Sequence, residues 1–75
     1  MTDKEKLLGG IKLIQSACHN SPFIVEDFTD EDFTQLKKQY TSLPASRVSF
    51  MIADGYEREP VSFDFDEFGN FLGRI

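Results

Sequence analysis

The sequence predicts an α+β fold of order ααβββ, with two N-terminal helices packed on one face of a three-stranded antiparallel β-meander. Three observations predict it. The first seventeen residues carry a capping box followed by apolar residues at helical spacing, a second capping signature stands at Thr29, and strict alternation of apolar and polar residues sets in at Arg47. The 75 residues form one domain, 1–75, since a chain this short buries only about 60% of the surface exposed by its unfolded form and has room for one core. A hydrophobic content of 40%, with eight Phe, is too high for a disordered chain.

Thr2-Asp3-Lys4-Glu5 fits a capping box, in which the Thr hydroxyl and the Glu carboxylate each satisfy a free N–H at a helix start. Leu7, Ile11, Ile14 and Cys18 then fall on one stripe with Leu8 beside it, while Lys4, Lys12 and Gln15 point elsewhere. Gly9-Gly10 inside this pattern costs about 1 kcal/mol per Gly against Ala, which implies either a later helix start or close approach by another backbone. His19-Asn20-Ser21-Pro22 ends the helix, because Pro disfavours helical geometry in the residue before it. The second helix starts at Thr29-Asp30-Glu31-Asp32, with acids at the positive end of the dipole. Phe33, Leu36, Tyr40 and Leu43 form its inner face, and it stops before Pro44.

Val48, Phe50 and Ile52 alternate with Ser49, Met51 and Ala53, and Val61, Phe63 and Phe65 with Ser62, Asp64 and Asp66, so these are strands with one wet face. Pairing Ile52 with Val61, Phe50 with Phe63 and Val48 with Phe65 aligns the apolar side chains and leaves Asp54 to Glu59 as a loop. A tight turn at Asp54-Gly55 would instead set Glu57 and Glu59 opposite Ile52 and Phe50. Asp66-Glu67-Phe68-Gly69-Asn70 reads as a hairpin with a type I turn and Gly69 in the left-handed position, setting Phe65 opposite Phe71 and Val61 opposite Ile75.

Cys18 is alone, so the fold holds no internal disulfide and no Cys/His set for structural zinc. With no signal-peptide layout and no long apolar run, the expectation is a cytoplasmic protein. The formal net charge is −5, and it is regional: residues 1–25 hold two of the thirteen acids and three of the eight bases. Such a surface repels phosphate backbones and anionic lipid, which argues against direct nucleic-acid or membrane binding and leaves a basic protein surface as the natural partner.

Little in the chain suits catalysis. Cys18 and His19 are helix neighbours pointing about 100 degrees apart, with no third group to orient them. The carboxylate pairs Asp64/Asp66 and Glu57/Glu59 would need a desolvated cleft to separate their pKa values. Asp64 to Gly69 begins like a calcium loop, but Phe68 and Ile75 stand where the fifth and twelfth ligands belong. No enzyme activity, cofactor or metal is therefore expected.

The remaining feature is acidity. Glu26, Asp27, Asp30, Glu31 and Asp32 form one cluster; Asp54, Glu57, Glu59, Asp64, Asp66 and Glu67 flank the hairpins. Part of this serves helix capping and solubility. Carboxylates spread over a compact surface also imitate a nucleic-acid backbone. With Tyr56 and Phe68 as candidate apolar anchors, they suggest a non-enzymatic inhibitor occupying the basic groove of a nucleic-acid-handling protein, a DNA mimic of the phage or mobile-element type directed at a nuclease or CRISPR-type complex. The alternative is an assembly protein, a homodimer included, that pairs through exposed sheet edges at Val48 to Ala53 and Phe71 to Ile75.

Overall fold

The structure, a computed structural model, describes residues 1–17 and 24–75. It contains one helix, α1 (Asp3–Ala17), and a four-stranded antiparallel sheet of β1 (Ile24–Asp32), β2 (Ser46–Ala53), β3 (Arg58–Phe65) and β4 (Phe71–Arg74), in sequential order. The α+β class holds, but the second helix and the three-strand count do not. None of the described helices is long and apolar enough to cross a membrane. The expected helix end at His19-Asn20-Ser21-Pro22, and the reading of Cys18 and His19, lie outside the described residues.

The capping box at the start of α1 forms as its sequence requires. Thr2 N–H donates to Glu5 Oε1 at 3.0 Å and Glu5 N–H to Thr2 Oγ1 at 3.1 Å. The helix runs straight through Gly9 and Gly10, where an added Cβ would meet nothing within 4 Å. Neither a late start nor a close backbone therefore explains the pair. Gly9→Ala and Gly10→Ala should each raise stability by about 0.5–1 kcal/mol, read as an upward shift of the thermal midpoint.

β1 occupies part of the segment in which a helix was expected. Its register is Ile24 to Ala53, Val25 to Ile52 and Glu26 to Met51, then, after a bulge at Asp27, Thr29 to Ser49 through Asp32 to Ser46. Asp27 sits at φ +54°, a left-handed conformation that Asp tolerates better than most residues. Of the expected helix only a 3-10 turn, Leu36–Lys38, remains. The reason is burial: Leu36 and Tyr40 stay exposed, and a short helix without a buried face is not stable in water. Asp32 instead closes an Asx turn ahead of it, its Oδ1 accepting from Thr34 N–H at 2.9 Å and from the Thr34 hydroxyl at 2.7 Å.

β2 and β3 pair two residues away from the expected register: Phe50 faces Val61 and Val48 faces Phe63, with Ile52 opposite Glu59. A shift of two leaves every side chain on its expected face. The loop shortens to Asp54–Glu57, organised by the Asp54 carboxylate, which accepts from Tyr56 N–H at 2.9 Å and Glu57 N–H at 2.8 Å. Placing Glu59 opposite an apolar residue is tolerated because its side chain reaches Arg74 on β4 at 2.6 Å. Phe65 does face Phe71, but a bulge at Leu72 shifts the rest of β4, so Ile75 N–H donates to Ser62 O rather than facing Val61.

Ile11, Val25, Val48, Phe50, Val61 and Phe65 form the core, with Leu7, Leu8, Ile14, Ile52 and Phe63 packed against it. Among the described helices, α1 is thus the one whose apolar stripe covers the inner face of the sheet. Its start is tied to the last hairpin: Lys4 N–H donates to Gly69 O at 3.0 Å and Phe71 N–H to Asp3 Oδ2 at 3.0 Å. Val48 to Ala53 is an interior strand, so the edges of the sheet are β1 and β4, not the pair expected.

Candidate functional site

The acidic residues divide by what their carboxylates do. Asp32, Asp54 and Asp66 each fold back on a turn. Asp66 Oδ1 accepts from Phe68 N–H at 2.9 Å and Asn70 N–H at 2.8 Å, and its Oδ2 from Asn70 Nδ2 at 3.1 Å, while Gly69 at φ +81° completes the hairpin. Hydrogen bonds from main-chain N–H groups favour the ionised form, and all three carboxyls titrate below their ordinary 3.8. For Asp32 the largest cause is the N–H of Thr34, for Asp54 that of Glu57, and for Asp66 that of Asn70.

A pH dependence of stability follows. A carboxyl whose folded pKa is depressed contributes stability that is complete above its unfolded value and is lost as pH falls through the folded one. Glu5, held first by the Thr2 N–H, is likewise lowered from its ordinary 4.5, so the thermal midpoint should hold down to pH 4.5 and decline below it, more steeply below the ordinary Asp value of 3.8. Asp66→Ala should lower the midpoint at neutral pH and flatten the acid decline; an unchanged acid profile in that variant would remove the hairpin turn as its source.

Six further carboxylates meet cations. Glu26 and Asp27 share Arg58 across the outer face, the latter at 3.2 Å. Asp30 lies 3.0 Å from Lys4 of α1, Glu59 2.6 Å from Arg74, and Glu67 3.3 Å from Lys37. Asp64 takes Arg47 in a two-point grip, Nε to Oδ1 at 2.7 Å and Nη2 to Oδ2 at 3.3 Å, and the guanidinium also lies 5.5 Å from the Phe33 ring centre. This bond to Asp64 is the main reason the Arg47 pKa is raised. Glu31 and Glu57 make no ion pair with any described residue.

Neither carboxylate pair singled out for acid–base chemistry stays together: Asp64 is committed to Arg47 and Asp66 to its turn, while Glu57 ends a loop and Glu59 points to Arg74. Among the described residues no three His, Cys, Asp or Glu side chains converge as metal ligands. A cleft of about 440 Å³ among the described residues is an open hollow lined by Ile24, Glu26, Ala53, Gly55, Tyr56, Glu57 and Arg58. Tyr56 on its rim is 97% exposed and Phe68 at the hairpin tip 72%, so both anchor candidates stand out from the surface.

No family model, curated protein or solved structure matches the chain.

The cations that neutralise the acids, Lys4, Lys37, Arg47, Arg58 and Arg74, were not legible as partners. Their pairings join residues as far apart in sequence as Glu26 and Arg58; those of Lys4 and Arg58 depend on β1 being a strand, and those of Arg47 and Arg74 on the registers of β2, β3 and β4. The expected cluster from Glu26 to Asp32 is thus an edge strand rather than the cap of a helix.

Proposed function

We propose that this chain is a non-enzymatic protein-binding module whose negative surface occupies a cationic surface of a nucleic-acid-handling protein. In doing so it keeps that protein from its ligand, as an inhibitor of a nuclease or CRISPR-type complex would. The observation that supports this is the anchoring of the Asp32, Asp54 and Asp66 carboxylates by main-chain N–H groups in three separate turns, which keeps each ionised and fixed in position. With the net charge of −5, this gives a persistent anionic surface that steers encounter with a basic partner. Tyr56 and Phe68 would supply apolar anchoring inside the polar rim. The lone Cys18 fits a reducing, cytoplasmic setting.

The test uses the partner recovered by the immobilised chain. Affinity should fall steeply as salt rises, and duplex nucleic acid should compete. Glu31→Gln with Glu57→Gln should weaken binding without lowering the thermal midpoint, because neither side chain is ion-paired within the described fold. Binding indifferent to ionic strength would overturn the electrostatic reading.

A further inference from the structure

The two sheet edges differ in ways that bear on strand addition. β1 is bulged at Asp27 and carries Glu26, Asp27, Asp30, Glu31 and Asp32, so two copies of it would place like charges side by side. These are standard protections of an edge. β4 lacks them: Phe71 to Ile75 contains no acid, no proline and a single cation, Arg74, already paired with Glu59. Phe71 is 49%, Leu72 57% and Ile75 66% exposed.

The main-chain pattern of β4 fixes what can pair with it. Ile75 N–H bonds Ser62 O at 3.0 Å, and Gly73 faces Asp64. Alternation along an antiparallel ladder then turns both main-chain groups of Arg74 toward the open edge, and the trans peptide that aims the Gly73 N–H at β3 aims the Leu72 carbonyl the opposite way. A second β4 laid antiparallel about a two-fold axis through Gly73 satisfies these groups reciprocally, the Arg74 N–H of each copy donating to the Leu72 carbonyl of the other. Gly73 is already required locally, at φ +155° beside the bulge, and a Cβ there would meet nothing within 4 Å. The axis, where the two backbones approach most closely, is therefore unobstructed.

We propose that the free edge of β4 is a self-association surface, on which a second copy of this chain adds its own β4 to make a continuous eight-stranded sheet. This is independent of the partner proposed above. The paired segment is short, so the interface falls in the weak class below about 1,200 Å².

Sedimentation equilibrium from about 10 μM to about 1 mM tests it. The expected result is a monomer–dimer transition in the upper part of that range. Salt strengthens it, since two copies of charge −5 repel and screening relieves the repulsion. Leu72→Asp weakens it by about tenfold or more, equivalent to about 1.4 kcal/mol. Because a variant can misfold, amide exchange in the unaltered protein is the second readout: the N–H group of Arg74 gains protection as concentration rises. A monomer throughout, a dimer weakened by salt, a dimer insensitive to Leu72→Asp, or protection at this amide that ignores concentration each overturns the proposal.

Discussion

Phe65→Ala is expected to lower stability by about 3–5 kcal/mol, the range for emptying a buried Phe site. Phe65 is 1% exposed and the largest fully buried side chain. Its ring meets Phe71 edge-on at 6.1 Å, and its carbonyl accepts from Ala45 N–H at 3.0 Å, so it joins the helix-facing core to β4 and to the segment entering β2. At roughly 0.05–0.15 kcal/mol per residue a domain of this size has only about 4–11 kcal/mol in total. The variant should therefore show a markedly lower urea midpoint. Phe68→Ala is the control: on its exposed hairpin tip it should change stability by less than about 0.5 kcal/mol. Equal effects from the two would mean that Phe65 is not the buried side chain the fold makes it.

Gly69→Ala should be the second most damaging substitution, at about 2–4 kcal/mol, from two separable causes. A left-handed conformation costs a residue with a Cβ about 1–2 kcal/mol, and Gly69 is at φ +81°. The new Cβ would also lie 2.8 Å from both Cβ and Oγ1 of Thr2, closer than such atoms approach. Thr2→Gly in the same chain removes the collision and leaves the backbone strain. A double-mutant cycle should therefore show positive coupling of about 1 kcal/mol or more, whereas strict additivity would mean that Thr2 does not sit under the hairpin.

The parts of the fold that were legible have strong local causes. The capping box at Thr2, the hairpin around Asp66 and Gly69, and the facing of Val48, Phe50, Val61 and Phe65 each follow from residues within a few positions of one another. β1 was not legible because its evidence is divided. Thr29 to Asp32 reads as a helix cap, and only the need of β2 for a partner, together with the failure of Leu36 and Tyr40 to find cover, decides for a strand. The pairing of β2 with β3 differs from the expected one by two because alignment of apolar residues alone selects Ile52 opposite Val61, whereas the fold sets Ile52 opposite Glu59 and satisfies that carboxylate with Arg74 from β4. The acidic surface was visible as composition, but its ion pairs depend on that same strand order.

The grip of Thr2, Asp3 and Lys4 on Gly69 and Phe71 also sets a sequence of events. Asp3 and its bonding partner Phe71 stand 68 residues apart, so on the ribosome the start of α1 is tied down only after the β3–β4 hairpin has emerged, although its apolar stripe can already rest on Val25 and Val48. Contacts so distant in sequence slow folding, and the first turn of the helix is therefore the last part of it to be secured.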